Sequence, residues 1–316
     1  MSARSASSLS PRDLPAILLP RQKLESALNY AALAPTQDGW QPWFFQLGDN
    51  YLDLAIKKNP VRESVDPEGR QFLIGCGAAL LYLKLALKHF GCFGRVALFP
   101  DLDRPALVAR IHSGFSGNAS AREQLLFSAI ARSRAKDAPL PRTPMTESML
   151  ESLGQAAEGE RGWLDFIQSE PSWQQVARIM PTDNRRGPNS VSRARLSLSF
   201  GGRVIRCGYG TVEPVQPSAG STIALAVVKT KTDDKHGWLE AGQTMARTIL
   251  QAELLGLSWS FYDPVRRREA REALRTGVGH KGFAQVILRF GEGNLQMDDM
   301  VMEHTRPSAE PAVRWR

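Results

Sequence analysis

Apolar and polar residues change period from block to block along this chain, and each period predicts an element. Helical spacing over about Arg21–Leu33 gives way to two alternating stretches, Trp43–Leu47 and Tyr51–Ile56, around the turn Gly48-Asp49-Asn50. Asp66-Pro67-Glu68 opens a second helix: Asp caps, Pro suits the first turn, and Glu favours its positive end. That helix is predicted to run to about Phe90 and to stop at Gly91. Val96–Phe99 and Ala106–His112 read as strands, then Ala119–Ala131 as helix. The Pro-rich run 139–144 punctuates the chain before a helix over Thr146–Ala157. From Pro181 to Gly220 no period is legible, and Asn184-Arg185-Arg186-Gly187-Pro188 is a loop. Beyond it lie a strand at Ile223–Val228 and a long helix at Asp234–Leu255 that ends at Gly256. A helix from Asp263-Pro264 to about Arg275 and a last strand at Phe283–Phe290 follow, then an irregular basic tail.

One internal echo stands out. Gly77 and Gly91 bracket AALLYLKLALKHF, and Gly242 and Gly256 bracket QTMARTILQAELL. Each helix is followed by a strand-like segment, and each half closes on an extended stretch ending in Gly (ALVARIHSG and AQVILRFG). The spacing points to two similar lobes in tandem; two generic amphipathic helices would give it as well.

Composition narrows the class. The chain has 316 residues, 42% hydrophobic and 23% charged, as expected of a globular protein. Its longest apolar run, near Ala78–Leu87, is broken by Tyr82 and Lys84, so no transmembrane helix is expected. The first 20 residues lack an apolar core of signal-peptide length and read as a disordered arm. Three Cys without metal-type spacing fit a reducing cytoplasm, and five scattered His give no zinc motif, so no metal is expected. The net charge is +8, densest at Arg266, Arg267, Arg268, Arg271 and Arg275. That run has no interleaved aromatics, so it reads as a solvated helix face rather than a nucleic-acid platform. There is no GxSxG and no GxGxxG after a strand, so neither a serine nucleophile nor a dinucleotide-binding Rossmann half is visible. Cys76 reads as a small packed residue.

The densest chemistry lies in the helix-to-strand loop Ala34-Pro35-Thr36-Gln37-Asp38-Gly39-Trp40-Gln41-Pro42-Trp43. It resembles the APSxxNxQPW loop of the nitroreductase superfamily at Ala34, Pro35, Gln41, Pro42 and Trp43, and departs from it at Gly39. Asp66–Leu87, Asp233–Leu257 and Phe283–Arg289 resemble the DPxGR…CGAAL, WLxAG…GL and PQxxLR segments of its Acg-type branch. In that branch two nitroreductase-like lobes share one chain.

The resemblance implies an α+β fold: an arm at 1–18, a first lobe at 19–130 and a second at 131–316, each with a mainly antiparallel sheet flanked by helices. It implies FMN between the lobes. Pro35, Thr36, Gln37, Gly39 and Gln41 would line the flavin from the loop. Arg132, Ser133, Arg134 and Lys136 would hold its phosphate, with Ala131 and Ala135 where relatives carry basic residues. A solvated turn after a helix is the other reading of that segment. Tyr262 and Asp263 would approach the ring, although Asp263 equally suits a helix cap, and Arg306 would reach the phosphate or is a tail charge. Trp43 is expected to pack in the core and Trp40 to pack or to reach over the flavin. A second, symmetry-related site would draw its loop from Pro181–Gly220.

The implied activity is that of an oxidoreductase. Electrons would pass from NADH or NADPH through flavin N5 to a small electrophilic acceptor, with no catalytic side chain specified. The alternatives are a flavin binder without turnover and a degenerate member that has lost FMN. The expected partners are small molecules, with neither nucleic acid nor membrane. The chain is expected to be a monomer with a dimer-like internal interface, or a weak homodimer.

Overall fold

A computed structural model of the chain describes residues 20–36, 40–64, 66–114, 119–133, 145–169, 172, 176, 196–200, 203–207, 223–257, 259–262, 268–279, 281–291 and 313–315. The elements in the first half are α1 (Pro20–Ala31), β1 (Trp43–Leu47), β2 (Tyr51–Ile56), α2 (Pro60–Glu63), α3 (Arg70–His89), β3 (Phe93–Leu98), β4 (Leu107–Ser113) and α4 (Ala121–Ser133). Then come α5 (Glu147–Glu158), β5 (Trp163–Phe166), β6 (Leu196–Phe200), β7 (Arg203–Cys207), β8 (Ile223–Thr230), α6 (Lys235–Leu254), β9 (Trp259–Tyr262), α7 (Arg268–Gly277), β10 (Phe283–Gly291) and β11 (Val313–Trp315). The expected α+β class is observed. Two sheets of order β11-β1-β2-β4-β3 and β5-β8-β10-β9 flank helices, and β6 and β7 form a small separate hairpin. Every pairing is antiparallel except the addition of β11, which runs parallel to β1.

The core is built on α3 and α6. Both are 20 residues long, and both bury most of their length. Among the described residues α3 alone is long and apolar enough to cross a bilayer, yet 83% of that stretch is buried within the protein. α3 packs on all four antiparallel strands of the first sheet, α6 packs on β8 and β10 of the second, and the two helices pack on each other. Their crossing is close because glycines face each other across it. A Cβ on Gly77 would strike the Leu239 carbonyl oxygen, and one on Gly242 would strike the Ile74 carbonyl oxygen. Ile74 lies three residues before Gly77, and Leu239 three before Gly242, so the contact is reciprocal, as across a two-fold axis. Both helices end alike, with Gly91 at φ 63 and Gly256 at φ 72 in the left-handed region. The next residue's N–H then returns to the helix, Cys92 to the Leu87 oxygen and Leu257 to the Ala252 oxygen, each at 2.9 Å.

The second sheet is buried on both faces. Ala226 and Val228 of β8 join the main core, while Leu225 and Val227 join a smaller cluster with Leu274 and Val278 from the region of α7. This two-sided burial explains why β8 reads as a continuous apolar run.

Several expectations are corrected. α3 starts at Arg70 rather than at Asp66-Pro67-Glu68, because Gly69 at φ 68 turns the chain there. Asp66 still serves the helix start from outside, since its carboxylate accepts from the N–H groups of Arg70, Gln71 and Phe72. Burial pushes the Asp66 carboxyl above its ordinary value, against the pull of those amides and of Arg70. The expected irregular tail contains β11, which extends the first sheet. The Arg-rich helix face is not wholly solvated, because Arg271 is buried. Of the stretch 181–220, expected to supply a second loop, only 196–200 and 203–207 lie within the described residues.

Candidate functional site

The loop joining α1 to β1 is held by its own ends. α1 unwinds through the turn bonds of Leu33 to Tyr30 and Ala34 to Ala31, and Pro35 cannot extend a helix. Gln41 Nε2 reaches back to the Ala32 carbonyl oxygen at 2.6 Å and satisfies a carbonyl left open where the helix ends. The Gln41 side chain is half-exposed. Pro42 is buried where α3 has no side chain: a Cβ on Gly75 would lie 2.5 Å from Pro42 Cγ. The Pro42 carbonyl accepts from Lys57 N at 2.9 Å, and Trp43, 1% exposed, begins β1 in the core as expected.

Trp40 caps this arrangement. Its ring lies edge-on to Phe72 at 5.4 Å, and the Arg62 guanidinium sits 4.5 Å from the ring centroid. Arg62 is presented by the short helix α2, whose start Asn59 caps through the N–H groups of Val61 and Arg62. Cys76, below the loop, is fully buried. Burial pushes its thiol far above the ordinary range, which leaves it no thiolate to attack with.

The structure thus brings Pro35, Thr36 and Gln41 into one loop resting on the first two turns of α3. Gln37 and Gly39 lie outside the described residues, as do Arg134, Lys136, Asp263 and Arg306. Arg132 and Ser133 fall in the last turn of α4 instead of in a turn after it, and their side chains lie outside the described set. Tyr262 ends β9, with its backbone paired to Ile287 of β10. Its side chain is likewise outside the described set. Among the described residues no group of three or more His, Cys, Asp and Glu is arranged to hold a metal ion.

One constellation escaped sequence reasoning altogether. Arg70, 1% exposed, sends Nε to Gln285 Oε1 at 3.1 Å and Nη2 to the Gln285 carbonyl oxygen. The Gln285 amide donates to Thr230 Oγ1 and to Asp233 Oδ1, both at 3.1 Å. Asp233 also accepts from Trp238 Nε1 at 2.7 Å and from Arg271 Nε at 3.0 Å, and Arg271 continues to Glu68 at 3.4 Å. Burial works to raise the Asp233 carboxyl. The bonds from Trp238 and Gln285 and the charges of Arg271 and Arg70 outweigh it and hold the carboxyl below the ordinary aspartate value. The signal was present in the sequence: Gln285 is the one polar residue in the apolar run FAQVIL that opens the last strand.

A groove of about 590 Å³ lies elsewhere, along β5, lined by Trp163, Asp165, Phe166, Val278 and Lys281 among others. Lys229 beneath it is fully engaged by Asp165 at 2.6 Å and by the carbonyls of Val278 and Gly279, so it presents no free cation to a ligand.

No protein-family profile matches the chain. Curated relatives do match along nearly its whole length. Two proteins of Mycobacterium tuberculosis H37Rv, named as putative NAD(P)H nitroreductases, are acg and Rv3131. The first is 22% identical over 302 residues, covering 88% of this chain and 91% of its own. The second is 24% identical over 324 residues, covering 93% and 92%. These alignments support an Acg-type nitroreductase branch for the chain. A third relative from the same strain, the uncharacterized protein Rv3127, is 20% identical over 297 residues, covering 85% of this chain and 86% of its own. The nitroreductase names support a general oxidoreductase function.

Proposed function

We propose that the protein is an FMN-dependent oxidoreductase that carries electrons from a reduced nicotinamide to a small electrophilic acceptor. The observation that carries this reading is the near-full-length alignment with proteins named as NAD(P)H nitroreductases. The matched loop, seated on α3, agrees with it.

Two further features support two lobes in one chain. The sheet orders β1-β2-β4-β3 and β5-β8-β10-β9 correspond strand for strand in sequence order. The α3–α6 glycine contact is reciprocal.

The described part of the donor set fits FMN. The loop offers a neutral, half-exposed amide beside buried Pro42, the kind of surface that takes an aromatic ring edge-on with a hydrogen bond at its rim. Pro35, Thr36 and Gln41 would line the ring system from one side, and the strand end at Tyr262 would approach from the other lobe. Arg132, Arg134, Lys136 and Arg306 would supply charge-assisted donors to the phosphate. Bound FMN supplies the redox chemistry, accepting and giving two electrons. The loop would fix the ring against α3, and Trp40 with Arg62 would limit water at its edge.

The first test is the absorbance spectrum of the freshly purified protein, with heat-released cofactor identified by chromatography. Flavin bands with FMN in the released fraction are expected, and steady oxidation of NADH or NADPH with an added quinone or nitroaromatic should follow. A colourless protein that takes up no added FMN would overturn the reading.

Trp40 favours a second reading. Its ring is held between Phe72 and Arg62, and there it would cover a flavin and exclude a nicotinamide. A flavin-loaded protein that oxidises neither NADH nor NADPH would establish a flavin binder without turnover.

A further inference from the structure

We propose that Arg70 and Gln285 are positioning residues of the candidate cofactor site, setting the α3 wall that carries the loop against strand β10, next to β9. This rests on the FMN reading above.

Contacts close a ring through the molecule. Arg70 bonds Gln285, Gln285 bonds Asp233, Asp233 bonds Arg271, and Arg271 returns to Glu68, which lies in the same turn that precedes Arg70. The ring joins the start of α3, β10, the approach to α6, and α7. Arg70 and Arg271 are 1% and 4% exposed, and Gln285 is 0% exposed.

Buried charges of this kind contribute little net stability over a well-packed apolar replacement, because desolvation offsets their attraction. They differ from apolar packing in direction. Apolar surfaces tolerate repacking and lose uniqueness before they lose stability, whereas a guanidinium held at two acceptors fixes both distance and angle.

What the ring fixes is the spacing of the two walls. On one side Asp66 grips the N–H groups of residues 70 to 72, so the first turn of α3 cannot shift relative to Arg70. Phe72 then carries Trp40, and Gly75 receives Pro42. On the other side Ile287, two residues beyond Gln285, is paired with Tyr262. A path therefore runs from the loop to Phe72, along the first turn of α3 to Arg70, across to Gln285, and along β10 to Ile287 and its pair Tyr262. A cofactor held between loop and strand end needs walls set to a fraction of an ångström, and outer residues of this type supply that setting.

The test compares wild type, Arg70→Lys, Gln285→Met and a control, Trp238→Phe. The control removes another bond to Asp233 and lies off the path. FMN dissociation constants come from quenching of flavin fluorescence, the ring's setting from visible circular dichroism of bound flavin, and folding from thermal melts. Arg70→Lys and Gln285→Met are expected to bind FMN at least tenfold more weakly, with an altered visible dichroism. Trp238→Phe should keep the wild-type affinity and spectrum whatever its melting temperature. Should Gln285→Met fail to fold, Arg70→Lys, which keeps the charge, decides. Wild-type affinity and dichroism in Arg70→Lys would overturn the inference and leave the flavin reading intact. Equal losses in Trp238→Phe would do the same. A wild-type protein that binds no FMN would sink both.

Discussion

At the scale of single residues, polar groups in this chain are placed by local pairing more often than by charge totals. Ser120 and Glu123 illustrate it. Ser120 N and Oγ both donate to Glu123 Oε2 at 2.9 Å, and Glu123 N returns to Ser120 Oγ at 3.3 Å, a reciprocal cap at the start of α4. Lys88 of α3 adds a contact at 2.5 Å. Burial works to raise the Glu123 carboxyl, but Lys88 and the Ser120 amide and hydroxyl outweigh it and hold it at about 2. A carboxyl depressed in the folded state stabilises the fold above its ordinary value of 4.5, and that contribution fades as the pH falls toward about 2. Glu123→Gln should therefore lose about 1 kcal/mol at neutral pH. It should also flatten the acid limb of stability over that window. Urea unfolding at pH 7, 4 and 3 checks both: a mutant whose stability tracks the wild type at all three would contradict the assignment. The S-x-x-E pattern was legible in the sequence. Its link to Lys88 was not, because that requires α4 to lie against α3.

At the scale of elements, most boundaries follow from period and punctuation. β1, β2, α5, α6 and β10 fall within a residue or two of where alternation, caps and terminal glycines put them, with Thr146 and Asp234 as the observed N-caps of α5 and α6. The start of α3 shifts because a carboxylate can cap a helix from a preceding turn as well as from the cap position. β5 and the β6–β7 hairpin were missed, since a four-residue strand has too short an alternation to read and the hairpin lies in a Gly, Ser and Arg-rich stretch. The helix glycines carry the strongest element-level prediction. Gly242→Ala places a methyl against the Ile74 carbonyl, and Gly77→Ala one against the Leu239 carbonyl. Each should force α3 and α6 apart and cost about 1–3 kcal/mol. The double variant should cost less than the sum, because one separation relieves both clashes. Denaturant midpoints of the three variants measure it, and a neutral Gly242→Ala would contradict the close crossing.

At the scale of the whole molecule, strands from distant parts of the sequence meet in one sheet. Val313–Trp315 runs parallel along Phe45–Leu47, so the last strand covers the edge that the first strand would otherwise expose. Removing residues 313–316 should leave β1 as an open edge, lower the melting temperature by a few degrees and promote self-association. Thermal melts and light scattering of the truncated chain test this; an unchanged melt with no association would show that β11 adds nothing to the sheet. What the sequence determined by itself was local or repeated: helix and strand periods, caps, the loop Ala34–Trp43, and the echo between the Gly77 and Gly242 helices. These are legible because each is written within a few consecutive turns or strands. Only the tertiary structure decided that Gly77 meets Gly242, that Arg70 is partnered by Gln285 and Arg271 by Asp233, that Trp40 lies between Phe72 and Arg62, and that β11 joins β1. Those contacts join residues far apart in the chain, and burial selects their partners by charge and shape. No local period encodes either.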